Sequence, residues 1–175
     1  MTCDWFCSDW RGVNAGCLTL LQIDRRQRQL QRRPYLGFLS LIMYLAEDNE
    51  TIAKNLIETL REICEVKVVA VGATQNEASH WLADHDTEWD LAIVDLFLRE
   101  GSGLGVLAGC RNRALRQKVV VLTNYATPEI RKRATELGAN AVFEKSSELE
   151  QLFAYCSAQT SQASRFGPGG GRLLQ

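Results

Sequence analysis

Polar residues follow several of the apolar runs in this chain, and their types suit phosphate and metal chemistry. Glu47-Asp48, Asp95, Thr123 and Lys145 each stand at or directly after the end of such a run. Carboxylate oxygens are the ligands that Mg²⁺ prefers, and a carboxylate can also act as a nucleophile toward phosphorus. A hydroxyl and an ammonium group can neutralise the oxygens of a transferring phosphoryl group. The residue types therefore predict magnesium-assisted phosphoryl transfer, provided that the fold brings them together.

Five apolar runs predict the strands that position these residues. Asp95 follows the continuous run Leu91–Val94, which is typical of a strand buried on both faces in a parallel sheet. The predicted strands are Phe38–Leu45, Glu65–Gly72, Leu91–Leu96, Lys118–Thr123 and Ala139–Phe143.

Helical patterns alternate with these strands. The predicted helices are Glu50–Ile63, Thr74–His85, Leu104–Leu115, Thr127–Leu137 and a last helix, capped by Ser146 or Ser147, that turns Leu149, Leu152, Phe153 and Cys156 inward. Strict alternation of strands and helices predicts an α/β fold with one doubly wound parallel sheet and right-handed crossovers. In such a sheet all carboxyl ends lie at one edge, so the polar residues are expected to converge there.

The ordered set of polar residues resembles the receiver domain of two-component response regulators. Glu47-Asp48 is similar to the acidic pair of that family, Asp95 to its phosphoacceptor, Gly103 to its loop glycine, Thr123 to its switch hydroxyl and Lys145 to its invariant lysine. The resemblance implies a flavodoxin-like fold with five helices and strand order 2-1-3-4-5.

The resemblance also implies a function. Asp95 would accept a phosphoryl group from a phosphohistidine on a sensor histidine kinase or a phosphotransfer protein. Asp48, Asp95 and the backbone carbonyl of Phe97 would bind Mg²⁺ directly, and Glu47 would act mainly through water. Such a domain is a signalling module that catalyses only its own phosphorylation and dephosphorylation. Its output would be a changed surface for a downstream protein, for which the helix that carries Arg131-Lys132-Arg133 is the candidate face.

Five residues depart from the commonest pattern of the family. Leu98-Arg99 replaces the usual Met-Pro, and Ser146 replaces the proline that usually follows the lysine in a cis linkage. Val142 stands where an aromatic residue normally completes the switch, and Asn124 is larger than the usual residue after the threonine. Because the acids, the hydroxyl and the lysine all remain, we expect phosphotransfer to survive these changes.

The totals place limits on the whole chain. With 175 residues and a net charge of −1, it can hold one domain of ordinary composition. We expect a poorly ordered extension over residues 1–36, the receiver domain over 37–157 and a disordered tail over 158–175, with no output domain. The cysteines suggest a reduced, cytoplasmic protein, and no apolar stretch is long enough to span a membrane.

Two alternatives stay open. One is an interaction module with the receiver fold that works without phosphorylation. The other is a transcription regulator that contacts DNA through the basic segment Arg25–Arg33. The first 40 residues carry a net charge of only +3, which by itself does not indicate a nucleic-acid partner. The cognate kinase, the downstream protein and the oligomeric state are not determined by the sequence.

Overall fold

The computed structural model describes residues 40–165 of the chain. The elements in chain order are β1 Leu41–Ala46, α1 Glu50–Ile63, β2 Val66–Gly72, α2 Gln75–Asp84, β3 Leu91–Val94, α3 Gly103–Gly109, β4 Lys118–Thr123, α4 Pro128–Glu136, β5 Ala141–Glu144 and α5 Leu149–Arg165. The predicted extension over residues 1–36, its basic segment and the tail from residue 166 lie outside the described residues. The described helices are too short or too polar to cross a membrane.

The five strands form one sheet in the order β2-β1-β3-β4-β5, and every pair of neighbouring strands is parallel. This confirms the predicted flavodoxin-like topology with five helices among the described residues. The central strand β3 pairs with β1 on one side and with β4 on the other. Its four residues are all buried, which explains why its sequence is an unbroken apolar run.

The sheet separates two hydrophobic clusters. Leu91 and Ile93 of β3 belong to the cluster under α1 and α5, which also contains Leu60 and Leu152. The alternate residues Ala92 and Val94 of the same strand belong to the cluster under α2, α3 and α4. Because successive side chains of a strand point to opposite faces, both faces of β3 are covered by helices. Burial on both faces holds the strand ends in fixed positions.

Three helix starts follow the chemistry expected of them. The Asn49 side chain accepts hydrogen bonds from the backbone N–H groups of the first turn of α1. Thr74 and Glu77 form a capping box at the start of α2, and the Thr127 side chain caps α4, which begins with Pro128. Each side chain satisfies backbone donors that have no partner within the helix.

Helix α3 is shorter than predicted. It ends at Gly109 rather than near Leu115, and the Leu115 side chain is 95% exposed. The apolar periodicity beyond Gly109 therefore has no surface to pack against. Arg113 stabilises the turn instead, since its guanidinium donates to the carbonyl oxygens of Cys110 and Gln117 at 3.0 and 3.1 Å.

The structure of α5 differs from three predictions. It begins at Leu149, so Glu148 rather than Ser146 or Ser147 precedes its first residue, and the Ser147 hydroxyl donates to the Glu144 carboxylate at 2.9 Å. Leu152 and Cys156 are buried as predicted, but Leu149 is exposed. The helix also continues to Arg165, so the predicted tail over 158–175 begins as helix. The helix-breaking pair Gly167-Pro168 comes only later in the sequence.

Candidate functional site

The parallel ladder brings the ends of β1 and β3 side by side. The Asp95 N–H donates to the Ala46 carbonyl at 2.9 Å, and the Glu47 N–H donates to the Gly72 carbonyl at 3.0 Å. These bonds extend the sheet by one residue beyond β1 and β3. The backbones of Glu47 and Asp95 therefore occupy adjacent positions at the carboxyl edge.

Lys145, which directly follows β5, reaches this position from the half of the sheet that contains β4 and β5. Its backbone N–H donates to the carbonyl of Thr123 at 2.9 Å, which extends the pairing of β4 and β5. Its Nζ lies 2.6 Å from Glu47 Oε2 and 2.7 Å from Asp95 Oδ2. The lysine side chain is 11% exposed. One ammonium group therefore bridges two carboxylates that the chain separates widely in sequence.

A third carboxylate completes an acidic cluster. Glu47, Asp48 and Asp95 each offer an oxygen atom, and these atoms all lie within 4.8 Å of one another. Glu47 and Asp95 are buried and Asp48 is half-buried. Three carboxylates and one ammonium leave a formal charge of −2 when all are ionised. The charge and the oxygen-only donor set fit a hard divalent cation.

Burial and Lys145 have opposite effects on the pKa of Glu47. Burial raises the pKa of Glu47, and the hydrogen bond and charge of Lys145 only partly offset that effect. Burial by itself would lower the pKa of Lys145, but its hydrogen bonds to Asp95 and Glu47 and the negative charges of these two residues together outweigh burial, so this pKa is raised. Lys145 therefore carries its positive charge at neutral pH.

The loop after β3 is held close to Asp95. A Cβ atom on Gly103 would lie 2.1 Å from the Asp95 carbonyl oxygen, so only glycine allows α3 to start at this distance. The Gln75 side chain accepts the Ser102 N–H at 2.9 Å, and Gly101 adopts a φ of 77°. The predicted loop glycine thus has a steric reason.

An open cavity of about 280 Å³ adjoins the acidic cluster. Phe97 and Tyr125 stand at its wall with their ring centroids 5.3 Å apart in an edge-to-face arrangement. Both rings are exposed. The Phe97 N–H also donates to Asp95 Oδ1 at 3.3 Å. Phe97 thus lies beside Asp95, and the role of its backbone carbonyl in metal binding stays a prediction.

Thr123 occupies a different environment from the other candidates. Its side chain is fully buried, and its Oγ1 accepts the N–H of Tyr125 at 3.2 Å. The next two residues, Asn124 and Tyr125, line the cavity. The structure thus brings Glu47, Asp48, Asp95 and Lys145 together, whereas the Thr123 hydroxyl bonds to the loop that follows β4.

The sequence analysis missed the role of Arg131 and Glu148. Arg131 belongs to the basic triplet on the candidate partner face, but its Nη2 lies 2.7 Å from Glu148 Oε2. The same oxygen accepts the backbone N–H of Glu144, the residue before Lys145, at 2.7 Å. The one feature of the sequence that could have indicated this role is a glutamate three residues after the lysine. Its arginine partner lies on another element, α4.

The comparisons with known proteins identify the family of this chain. The family model described as "Response regulator receiver domain" matches residues 43–157. An uncharacterized transcriptional regulatory protein, YvfU of Bacillus subtilis, is 27% identical over 110 residues, which are 63% of this chain and 54% of that protein. The chain thus spans about half the length of this curated relative.

Solved receiver structures share the fold. A DNA-binding response regulator of the LuxR family from Staphylococcus aureus superposes with a TM-score of 0.61 at 19% identity, over 69% of this chain and 98% of that one. A Burkholderia pseudomallei response regulator with a phosphorylated aspartic acid, a calcium ion and citrate gives a TM-score of 0.57 at 21% identity, over 78% of each chain. The family match covers most of the chain, and this protein belongs to the response regulator receiver domain family of two-component signalling systems.

Proposed function

We propose that Asp95 accepts a phosphoryl group from a phosphohistidine, carried by a sensor histidine kinase or a phosphotransfer protein, in an Mg²⁺-dependent reaction. The observation that carries this proposal is the contact of Lys145 Nζ with both Glu47 and Asp95, at 2.6 and 2.7 Å, beside a third carboxylate. An acidic cluster that served only solubility would not need a buried ammonium group between its members.

The cluster divides into residues that hold a cation and residues that bind phosphate oxygens. Asp48 and Asp95 are the proposed direct ligands of Mg²⁺, together with the Phe97 carbonyl, and Glu47 acts mainly through water. When bound, Mg²⁺ would neutralise charge on the phosphoryl oxygens. Lys145 holds the Asp95 carboxylate in place and offers its ammonium protons to a phosphoryl oxygen. Thr123 is the proposed hydroxyl donor to the same group.

The transfer needs no other catalytic group. A carboxylate oxygen of Asp95 forms a bond to phosphorus while the bond between phosphorus and the imidazole nitrogen breaks, and the leaving imidazole keeps that electron pair. Lys145 neutralises charge on the phosphoryl group, and a bound Mg²⁺ would add to this effect, so the aspartate can approach despite its own negative charge. The products are an aspartyl phosphate on Asp95 and a donor histidine that no longer carries the phosphoryl group.

The first test is phosphorylation by acetyl phosphate with Mg²⁺, measured by intact mass. The wild-type protein should gain one phosphoryl group, and Asp95→Asn should gain none. Asp84→Asn, which changes an exposed carboxylate at the end of α2, is the matched control and should behave like the wild type. A protein that gains no phosphoryl group under these conditions would contradict the proposal and favour the phosphorylation-independent module.

Magnesium affinity provides a separate test of the metal site. Calorimetric titration should show Mg²⁺ binding to the wild type and weaker binding to Asp48→Asn, because the substitution removes one of the anionic ligands. Equal affinity in both proteins would exclude Asp48 as a ligand. Mg²⁺ binding without phosphorylation would leave the metal site in place and remove only the phosphoacceptor role.

We also propose that phosphorylation alters the surface of α4, β5 and α5, where Lys132 and Arg133 are exposed, and that a downstream protein binds there. The buried free thiols of Cys64, Cys110 and Cys156 are compatible with the reducing conditions of the cytoplasm, to which we assign the protein. The boundary between the extension and the receiver domain stays a prediction.

A further inference from the structure

The turn between β5 and α5 is closed by one carboxylate. Glu148 Oε2 accepts the N–H of Glu144 at 2.7 Å, and the backbone N–H of Glu148 donates to the Glu144 carbonyl at 2.9 Å. The two residues thus bind each other through both the side chain and the main chain. Lys145 lies inside this closed turn, directly after Glu144.

Arg131 holds the carboxylate from the neighbouring helix. Its Nη2 donates to Glu148 at 2.7 Å, its Nη1 to the Val142 carbonyl at 2.6 Å and its Nε to the Ala126 carbonyl at 3.0 Å. One guanidinium group therefore joins the loop after β4, strand β5 and the turn that contains Lys145. The planar group fixes these three acceptors relative to one another.

This network acts where the chain lacks the usual proline. Ser146 follows Lys145, and the described residues contain no cis peptide bond. The backbone of the turn is instead restrained by two hydrogen bonds. The Glu144 N–H donates to the Glu148 carboxylate, and the Lys145 N–H donates to the Thr123 carbonyl. A lysine side chain is flexible, so the position of its Nζ depends on how firmly its backbone is held.

We propose that Glu148, held by Arg131, is a positioning residue that keeps Lys145 Nζ in contact with Glu47 and Asp95. Its role in phosphoryl transfer rests on the proposed function of Asp95, while its role in placing Lys145 does not. Glu148 contacts neither the acidic cluster nor the cavity beside it, and it acts only through the backbone of the turn.

A second ion pair on α4 shows what an ordinary surface contact looks like. Arg133 and Glu136 are 3.6 Å apart with side chains 62% and 50% exposed, whereas Arg131 and Glu148 are 2.7 Å apart and 37% and 22% exposed. The Arg131 hydrogen bond, followed by that of the Glu144 N–H, lowers the pKa of Glu148. Glu148 therefore stays ionised, and Glu136 provides the matched control.

The placement of Lys145 is tested by acetylation with an amine-reactive ester, quantified for each lysine by peptide mass. Lys145 should react several-fold faster in Glu148→Ala than in the wild type, because its ammonium group is released from the two carboxylates. Glu148→Gln keeps an acceptor oxygen and should give an intermediate rate of Lys145 acetylation. It also replaces the alanine variant if the alanine variant does not fold. Glu136→Ala should match the wild type, and the exposed Lys54 serves as an internal standard.

The consequence for phosphoryl transfer is tested by a double-mutant cycle with acetyl phosphate and Mg²⁺. In the presence of Lys145, Glu148→Ala should slow phosphorylation about tenfold, since misplaced catalytic groups lose this much or more. In the Lys145→Ala background the same change should alter the rate by less than about twofold, because a residue that acts through Lys145 has nothing left to position.

The outcomes separate the two proposals. Unchanged acetylation of Lys145 in both Glu148 variants would overturn the positioning role, and so would equal slowing in both backgrounds of the cycle. If the wild type takes no phosphoryl group but acetylation of Lys145 still rises in Glu148→Ala, the proposed function fails and the positioning role stands.

Discussion

Lys145, which follows β5, and Arg131, which lies on α4, are both partly buried cations, but they bind different partners. Lys145 contacts the carboxylates of Glu47 and Asp95, which lie on two other strand ends. Arg131 contacts two backbone carbonyls and the carboxylate of Glu148. The lysine thus joins side chains that can carry out chemistry, while the arginine joins segments of backbone.

The difference follows from the two side chains. An ammonium group is a compact charge on a flexible stem, so it can leave one oxygen and bind another as charge moves in the site. A guanidinium group is a rigid fork that binds several acceptors in fixed directions. We infer that the Lys145 centre serves phosphoryl transfer and that the Arg131 centre maintains the framework around it.

Replacing the lysine should affect the rate most. Lys145→Ala is expected to slow phosphorylation by acetyl phosphate roughly 100-fold, because a preorganised donor to the phosphoryl oxygens is lost. The rate is measured by intact mass over time. Lys132→Ala, which removes an exposed charge from α4, is the control and should keep the wild-type rate. If the Lys145→Ala protein reacts as fast as the wild type, the inference that the Lys145 centre serves phosphoryl transfer is wrong.

Replacing the arginine should instead reduce stability. Arg131→Gln is expected to lower the free energy of unfolding by about 2 kcal/mol, because the Ala126 and Val142 carbonyls and the Glu148 carboxylate lose charged hydrogen bonds. Urea denaturation measures this change, and the loss should be similar with and without Mg²⁺. A loss that disappears when Mg²⁺ is added would place Arg131 in the metal site rather than in the framework.

The Arg131 centre should also respond to acid. Its interactions lower the pKa of Glu148 below the usual value, so the ionised carboxylate stabilises the folded state above the unfolded pKa, and this contribution is lost as the pH falls through the folded pKa. The difference in unfolding free energy between the wild type and Glu148→Gln should therefore be largest near neutral pH and shrink below about pH 4.5. A difference that grows on acidification would contradict the assignment.

The smallest effect is expected at the exposed pair on the same helix. Glu136→Gln should change the free energy of unfolding by less than about 0.5 kcal/mol, because exposed ion pairs are screened by solvent. Urea denaturation at low and high salt measures it. An effect as large as that of Arg131→Gln would mean that exposure does not distinguish the two pairs, and the comparison would lose its physical basis.

The basic triplet Arg131-Lys132-Arg133 illustrates the limit of pattern analysis. Its charges predict a solvated helix face, and Lys132 and Arg133 are indeed exposed. Arg131 is not, because the loop after β4, the strand β5 and the turn before α5 all place acceptors beside it. Those acceptors come from separate segments, and two of them are backbone groups, which residue types do not reveal.

The same limit applies to helix ends. The start of α2 was predicted correctly because Thr74 and Glu77 cap it by local hydrogen bonds. The end of α3 was predicted wrongly, because Leu115 continues the apolar spacing but finds no neighbouring surface. Local bonds are encoded by nearby residues, whereas packing depends on elements that are distant in sequence.

By itself the sequence determined the alternation of strands and helices and the set of polar residues that follow the strands, because apolar period, caps and glycines act over a few residues. The tertiary structure alone decided which of those residues meet. Lys145 bonds to Glu47 and Asp95 across 98 and 50 residues, while Thr123 turns to its own loop. Contacts at this separation depend on strand order and register, which only the packed sheet specifies.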